Sequence, residues 1–171
     1  MESLKPQPDS QRLAGIRLLI LDVDGVMTDG RLHYDANGKE NKVFHAHDGH
    51  GIKKIMKHGI EVAVISGRKS RAVATRLTEL GITRVYLGQE AKQEAFEAIL
   101  ASLSIAAEDV ACVGDDEPDL PVMARAGIGI TVANAHPSVL AAADWCTARK
   151  GGQGAVREIC DALLAAQQKS A

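Results

Sequence analysis

The chain has 171 residues, with 20 lysines and arginines against 22 aspartates and glutamates, and its formal net charge is −2. This length suits one domain with a sizeable core, and the balanced charge excludes the basic surface of a typical nucleic-acid-binding protein. Aromatic residues make up only 3% of the chain, which also argues against a surface that stacks on bases.

Residues 1–15 are polar and contain prolines, so we predict a flexible leader there and a single domain over residues 16–171. The leader lacks the apolar core of a signal peptide, and no apolar run reaches membrane-spanning length. The 3 cysteines do not have metal-ligand spacing, and their odd number favours a reducing compartment. We therefore expect a cytoplasmic protein with neither a membrane nor a nucleic-acid partner.

The first predicted strand is the apolar run at residues 18–21, which leads directly into Asp22, Val23 and Asp24. A short continuous apolar run is typical of a strand buried on both faces of a parallel sheet. If the chain stays extended, alternation places the two carboxylates on one side. Two such anions are costly unless a cation or a shared proton compensates them. We expect a ligand site here rather than a simple turn.

The next predicted unit is a polar hairpin arm at about residues 31–45, with its turn at Asn37 and Gly38. The Asn-Gly pair is a strong signal for a two-residue hairpin turn. Because an isolated two-stranded hairpin is only marginally stable in water, we expect the arm to pack on something else. A neighbouring subunit is one candidate.

The rest of the chain alternates between helical and strand patterns. The predicted elements are helices at 48–59, through 73–81, through 95–103, and at 120–126 and 156–166, a short helix after 137, and strands at 62–65, 85–87, 110–113, 128–131 and 144–147. This alternation predicts a doubly wound α/β fold with a mainly parallel sheet. The C-terminal tail, about residues 149–171, begins with a Gly-Gly-x-Gly segment that is either a mobile flap or the lead-in to the last helix.

Chemically active side chains follow three of these strands. Asp22 and Asp24 follow the first strand, Ser66 follows a second, Asp115 follows a later one, and Lys92 lies near the start of a helix. The carboxyl ends of parallel strands meet at one edge of the sheet, where open α/β folds bind ligands. Carboxylates with open positions suit Mg²⁺, and the hydroxyl, the lysine and glycine-rich turn amides suit phosphate.

With Gly114 and Asp119, these residues resemble in order and separation the four motifs of the haloacid dehalogenase superfamily, over about residues 16–135. The resemblance implies a Rossmann-like fold and phosphoryl transfer. It implies that Asp22 is the nucleophile that forms an aspartyl-phosphate. It also implies that Asp24 is the general acid for the leaving alcohol and then the base that activates water.

The same resemblance implies that Ser66 binds the transferring phosphoryl group and that Lys92 neutralises charge on it. Asp116 and Asp119 would not bind the metal directly but would orient its water ligands or Lys92. For Asp119, an ordinary carboxylate at a helix start is the alternative. The implied Mg²⁺ ligands are Asp22, the main-chain carbonyl of Asp24, and Asp115.

Members of the superfamily usually carry a cap domain over the site, and this chain has no room for one between its motifs. The hairpin and the tail instead resemble those of capless sugar-acid phosphatases, homotetramers in which a neighbour's hairpin and tail complete each pocket. The resemblance implies Mg²⁺-dependent hydrolysis of a phosphorylated eight-carbon 2-keto-3-deoxy sugar acid, in the synthesis of a lipopolysaccharide precursor. A nine-carbon ulosonic acid 9-phosphate is the alternative substrate.

Members of this group usually carry arginine or lysine where this chain has His47, and often arginine where it has Lys53. A titratable contact therefore replaces a permanent charge at residue 47. For Arg76, a solvated helix face is the alternative to a ligand role. The substrate contacts that the resemblance implies are Asp24, His47, Asp48, Gly49, Lys53, Ser66, Gly67, Arg68, Arg76 and Lys92.

Two other classes of function and one other metal site fit parts of the sequence. A phospho-receiver domain also offers clustered carboxylates, but its lone aspartate follows a middle strand, where this chain has Ser66. An inert scaffold has no physical need for clustered like charge. A zinc site could be drawn on the three histidines between residues 45 and 50, but no fourth ligand lies near them in the sequence.

Overall fold

The computed structural model describes residues 5–170, with the side chain of residue 170 left out. The strands are β1 (Leu18–Leu21), β2 (His33–Tyr34), β3 (Glu40–Asn41), β4 (Glu61–Ser66), β5 (Arg84–Leu87), β6 (Val110–Val113), β7 (Ile128–Thr131) and β8 (Trp145–Cys146). The α-helices are α1 (Ser10–Ala14), α2 (Ala46–Lys57), α3 (Arg71–Leu80), α4 (Lys92–Leu103), α5 (Leu120–Met123), α6 (Pro137–Ala142) and α7 (Ala155–Ser170).

Six of the strands form one sheet in the order β5-β4-β1-β6-β7-β8. Every neighbouring pair in this sheet is parallel, so the predicted α/β fold with a mainly parallel sheet is confirmed. The chain moves outward from β1 in both directions, first to β4 on one side and later to β6 on the other. This reversal makes the carboxyl end of β1 the switch point where such folds bind ligands.

The central strand β1 is buried because its sequence is apolar at every position. Leu18, Leu19, Ile20 and Leu21 are each at most 1% exposed, as expected for a parallel strand covered by helices on both faces. The sheet pairing continues one residue further, since the Asp22 amide donates to the Val113 carbonyl at 3.0 Å. The first carboxylate therefore leaves the sheet from a fixed position.

The prediction of a flexible leader over residues 1–15 is wrong for residues 10–14. Asp9 caps the short helix α1 by accepting a hydrogen bond from the Arg12 amide at 2.8 Å. Leu13 is 0% exposed, and α1 packs against α7. Burial of this one leucine ties the segment to the body of the protein, while residues 1–4 lie outside the described part of the chain.

Helix α2 starts earlier than the predicted residue 48, at Ala46, and His45 is its N-cap. The His45 ring nitrogen Nδ1 accepts a hydrogen bond from the His47 amide at 3.3 Å. His47 is therefore the second residue of the helix. The helix ends at Lys57, and Gly59 follows with a φ of +89°, in agreement with the predicted stop.

The hairpin arm is present, but its turn is longer than predicted. Tyr34 pairs with Glu40 across β2 and β3, and the Asp35 amide donates to the Lys39 carbonyl at 3.0 Å. The loop thus holds three residues, with Gly38 at a φ of +76°. The Asp35 carboxylate stabilises this loop by accepting from the Asn37 amide within it and from the Lys39 amide that follows it.

The length and polarity of the helices bear on membrane insertion. Across residues 5–170, none of the helices has both the length and the apolar character that a membrane span requires.

We predict that Leu13→Ala lowers the free energy of unfolding by about 2–5 kcal/mol, the usual range for removing a buried leucine side chain. Urea unfolding followed by circular dichroism measures the change. Gln93→Ala is the control, because this side chain is exposed on α4 and its loss is expected to cost less than about 0.5 kcal/mol. Equal stabilities for the two variants would mean that α1 does not anchor the N-terminal segment.

Candidate active site

The chain turns sharply after β1, so the two N-terminal carboxylates are not arranged by strand alternation. The Val23 carbonyl accepts from the amides of Met27 at 2.9 Å and Thr28 at 3.1 Å. The buried Thr28 hydroxyl in turn accepts from the Gly25 and Gly30 amides, both at 3.3 Å. Gly25 has a φ of +96°, a conformation that favours glycine. This compact turn fixes the carboxylates as a rigid unit.

The Lys92 side chain links the end of β1 to the acidic segment that follows β6. Its ammonium donates to Asp22 Oδ1 and to Asp119 Oδ1, each at 2.6 Å, and to the Ile65 carbonyl at 3.3 Å. All three side chains of this ion-pair cluster are at most 9% exposed. Lys92 is the first residue of α4, so the helix start brings the cation to the carboxyl edge of the sheet.

The loop after β6 brings the remaining carboxylates to the same place. Asp119 Oδ2 accepts from the Asp115 amide at 3.0 Å and from the Asp116 amide at 3.3 Å. The His136 amide donates to the Asp115 carbonyl at 2.8 Å and holds the loop from the other side. Asp119 therefore contacts Lys92 with one oxygen and the start of a helical turn with the other, so its geometry is compatible with both of the predicted alternatives.

The electrostatics of the cluster reflect a shortage of positive charge. Burial, followed by repulsion from Asp119, raises the pKa of Asp22 to about 7, although Lys92 opposes the shift. Burial and the charges of Asp22, Asp119 and Asp116 raise the pKa of Asp115 to about 7. Burial opposes the charged form of Lys92, but the attraction of Asp22 and Asp119 is larger and raises the pKa of this lysine. One ammonium cannot neutralise this many buried carboxylates.

The donor set fits a hard divalent cation. Within the described residues, one carboxylate oxygen from each of Asp22, Asp115 and Asp119 lies within 4.8 Å of the others. Asp119 already uses both oxygens in hydrogen bonds, so Asp22 and Asp115 are the better candidates for ligands. A Cβ atom on Gly25 would lie 1.9 Å from Asp115 Oδ2, so glycine there allows the backbone to approach this carboxylate. Oxygen ligands of this kind are those that Mg²⁺ prefers.

An open cleft of about 400 Å³ gives access to the carboxylates. Ser66, at the end of β4, is 2% exposed, and its hydroxyl accepts from the Arg68 amide at 3.3 Å. The predicted site residues that line this cleft are Asp22, Asp24, Ser66, Gly67, Arg68, Lys92, Asp115, Asp116 and Asp119.

The other predicted substrate contacts lie away from the cleft of their own chain. Arg76 packs over the Phe44 ring, with its guanidinium carbon 6.0 Å from the ring centre, and its guanidinium also lies against Gly49. Lys53 is exposed on α2. His47 lines a separate, larger cleft of about 660 Å³ beside α7.

Asp48 has a structural partner on another helix. It is 2% exposed, and its Oδ1 accepts from the Arg157 amide at 2.9 Å in the first turn of α7. A carboxylate at this place caps the helix and compensates its dipole. Burial raises the pKa of Asp48, and hydrogen bonds such as that from Arg157 oppose the rise. The prediction of Asp48 as a substrate contact thus competes with a capping role.

The hairpin supplies two site neighbours that sequence reasoning missed, Glu40 and Lys42. Lys42 bonds directly to Asp24, and Arg68 bonds directly to Glu40. Burial opposes ionisation of Glu40, but hydrogen bonds from Arg68 and Ser70 and the charge of Lys42 together lower the pKa of Glu40. The signal in the sequence was a lysine two residues from a glutamate, which places both on one face of a strand.

The Gly-Gly segment of the tail packs against the turn that carries the N-terminal carboxylates. A Cβ atom on Gly151 would lie 1.7 Å from the Gly25 carbonyl oxygen. The Gly151 amide donates to Asn134 Oδ1 at 2.8 Å, and the Gly152 amide donates to the Val26 carbonyl at 3.1 Å. Of the two predicted alternatives for this segment, these contacts favour the fixed lead-in to α7.

Comparison with known proteins gives a consistent result. A model of the haloacid dehalogenase-like hydrolase family matches residues 81–159. The chain is 52% identical over 154 residues to the 3-deoxy-D-manno-octulosonate 8-phosphate phosphatase of Escherichia coli K12, covering 90% of this chain and 82% of that protein.

Solved structures agree with the sequence comparison. The crystal structure of the Yersinia pestis phosphatase of the same name has a TM-score of 0.92 and 48% identity, covering 94% of this chain and 86% of that one. The Moraxella catarrhalis phosphatase was solved in complex with a magnesium ion, a phosphate ion and a KDO molecule. It has a TM-score of 0.90 and 39% identity, with coverage of 94% and 92%.

We predict that Asp115→Asn changes the pH dependence of stability in the metal-free protein. Because folding raises the pKa of Asp115 to about 7, the folded state holds more protons than the unfolded state between about pH 4 and pH 7. The contribution of Asp115 to the free energy of unfolding therefore falls as the pH rises through this window. The variant should gain stability relative to the parent between pH 5 and pH 8, measured by urea unfolding with a chelator.

Mg²⁺ supplies the second half of this test, because a ligand of the folded state raises the melting temperature. At pH 8, Mg²⁺ should raise the melting temperature of the parent and have little effect on the melting temperature of Asp115→Asn. Glu108→Gln is the control, since this exposed carboxylate lies before β6, at the opposite end of the strand from Asp115, and the variant should keep both the parent pH dependence and the Mg²⁺ response. The same response to pH and Mg²⁺ in all three proteins would contradict the assignment.

Proposed function

Because the chain belongs to the haloacid dehalogenase-like hydrolases and is a phosphatase, we propose that it hydrolyses 3-deoxy-D-manno-octulosonate 8-phosphate to the free sugar acid and phosphate. The observation that carries the chemistry is the contact of Lys92 with Asp22 at the base of an open acidic cleft. The eight-carbon substrate is supported by a relative that carries that name and is 52% identical to this chain. A nine-carbon ulosonic acid 9-phosphate is the second candidate, within the same chemistry.

In the proposed first step, a carboxylate oxygen of Asp22 attacks phosphorus and forms an aspartyl-phosphate while the bond from phosphorus to the sugar oxygen breaks. Asp24 gives a proton to that leaving oxygen. In the second step, Asp24 takes a proton from the water that attacks phosphorus, and Asp22 is released with inorganic phosphate. Since Lys92 bonds to Asp22 Oδ1 at 2.6 Å, the other oxygen, Oδ2, is the one left to attack.

The remaining roles concern charge and orientation. Ser66 would donate its hydroxyl hydrogen to a phosphoryl oxygen, and Lys92 would offset the negative charge that develops beside Asp22. Asp22, the Asp24 carbonyl and Asp115 would hold Mg²⁺, which when bound supplies Lewis-acid polarisation of the phosphoryl group. Asp119 would hold Lys92 in place, and the exposed Asp116 would orient water.

Specificity for an anionic sugar acid would depend on cationic side chains around the cleft. Arg68 lines the cleft, and its guanidinium can bind a carboxylate with two hydrogen bonds. His47, Lys53 and Arg76 lie outside the cleft of their own chain, so the proposal requires a neighbouring subunit to bring the same residues to it. Asp48 and Gly49 would then act by shaping that surface.

The assembly that we propose is a homotetramer in the cytoplasm, in which the hairpin arm and the tail reach neighbouring sites. Three large apolar side chains of the arm support it, since Leu32, Tyr34 and Val43 are 46%, 56% and 69% exposed. Exposed apolar groups that lie close together commonly mark an interaction surface. Free thiols at Cys112, Cys146 and Cys160 suit a reducing compartment.

The proposed function predicts a selective, Mg²⁺-dependent phosphatase. A panel of the eight-carbon acid phosphate, the nine-carbon acid phosphate and simple sugar phosphates, assayed by phosphate release, should give the highest kcat/KM for the first. Asp22→Asn should reduce turnover at least about a thousandfold by removing the nucleophile, with the fold retained by circular dichroism. Asp109→Asn, at the opposite end of β6, is the control and should retain activity.

The outcomes of this panel separate the parts of the proposal. Preference for the nine-carbon ester would correct the substrate and keep the mechanism. Equal rates on all esters would show that neither sugar acid phosphate is a specific substrate. Turnover retained in Asp22→Asn would overturn the covalent mechanism.

From the proposed homotetramer, we predict that light scattering on the protein as it elutes from a column gives the mass of four chains. Val43→Asp should shift that mass toward smaller species and lower kcat/KM, because a charge would be buried where an apolar side chain packs. Lys39→Asp, a charge change at an exposed position of the same arm, is the control. A fully active monomer would contradict the assembly.

A further inference from the structure

Lys42 is an unusual residue of the hairpin arm because its side chain is buried while most of the arm is exposed. Its side chain is 1% exposed, whereas the neighbouring Val43 is 69% exposed. The ammonium bonds to Asp24 Oδ1 and lies 3.4 Å from Glu40 Oε1. A buried ammonium is tolerated only where carboxylates compensate its lost hydration, and Lys42 has two of them.

The second oxygen of the Asp24 carboxylate faces a different cation. Arg68 Nε lies 3.8 Å from Asp24 Oδ2, which is too far for a hydrogen bond. Arg68 is itself held by Glu40 and by the Tyr34 hydroxyl, the latter at 3.2 Å. Asp24 Oδ1 is thus occupied by Lys42, while Oδ2 remains available toward the cleft.

We propose that Lys42 is a positioning residue for Asp24, which makes the hairpin arm part of the proton-transfer machinery. By donating to Oδ1, Lys42 fixes the plane of the carboxyl group and leaves Oδ2 to give the proton to the leaving oxygen and later to take one from water. This inference rests on the proposed function, because it concerns the acid and base role of Asp24. General acid catalysis requires such alignment of donor and acceptor.

A purely structural role for Lys42, as an anchor of the arm, makes a different chemical prediction. An anchor would affect every phosphate ester alike. A residue that acts through Asp24 affects esters in proportion to the need of their leaving group for a proton. A sugar alkoxide needs that proton, whereas 4-nitrophenolate leaves without one.

The test compares Lys42→Met with the parent under single-turnover conditions, with enzyme in excess and release of the alcohol measured by rapid quench. These conditions report the first step alone. For the eight-carbon sugar acid phosphate the rate should fall at least about tenfold, while for 4-nitrophenyl phosphate it should change less than about threefold. Lys42→Arg should recover much of the loss, and Lys39→Met, on the same arm, should match the parent.

A double-mutant cycle with Asp24→Asn tests whether Lys42 acts through Asp24, because the effects of substituting two residues that act as a unit are not additive. If Lys42 acts through Asp24, adding Lys42→Met to Asp24→Asn should cause no further loss on 4-nitrophenyl phosphate or on the sugar ester. Equal losses on both esters, or losses that multiply in the double variant, would overturn the inference.

Failure of the proposed function would look different in the same experiment. If the parent prefers another alkyl phosphate, the substrate is wrong, and the ratio measured on that ester still decides the role of Lys42. If the parent cleaves no ester, the proposed function and this inference both fail. Circular dichroism and melting temperature of each variant exclude a folding defect as the source of a lost rate.

Discussion

The ammonium of Lys92 lies between the carboxylates of Asp22 and Asp119, and the geometry of the whole acidic edge depends on this buried contact. Each buried carboxylate carries a desolvation cost of several kcal/mol unless it is paired and hydrogen-bonded. Lys92 compensates two of them at once and ties the end of β1 to the loop after β6. Because none of the ion pairs in the described part of the chain includes Asp115, and the attraction of Lys92 only partly offsets its charge, the site keeps an excess of negative charge. That excess is the physical origin of its affinity for a divalent ion.

The fold places this charge cluster where side chains from distant parts of the chain can reach it. The carboxyl end of β1 lies at the switch point of a parallel sheet, so segments from both halves of the chain converge there. Rigid neighbours hold each carboxylate, which keeps the cost of reorganisation low when charge develops on a reacting group. The arm contributes further paired charges beside Asp24, from Lys42 and Glu40 to Arg68. Under the proposed function, this short arm would take over part of the role of a cap domain.

Local patterns in the sequence were sufficient for the sheet and for the residues at its strand ends. Continuous apolar runs predict buried parallel strands, and parallel strands bring their ends together whatever lies between them in the chain. Features that depend on a distant partner could not be predicted in this way. Aspartate is a common N-cap residue, and Asp48 lies near the start of its own helix. Its side chain instead accepts from the Arg157 amide, 109 residues away. Leu13 depends in the same way on a far segment, because α1 packs against α7.

The packing of Gly151 and Gly152 against the turn around Gly25 has a consequence for the order of events during synthesis. Asp22 and Asp24 leave the ribosome with the first strand, but the backbone that supports their turn emerges only after all six strands of the main sheet. A nascent or truncated chain that ends before Gly151 therefore carries these aspartates without this support. We expect the acidic edge to reach its final geometry only after residues 151 and 152 have been synthesised and have packed.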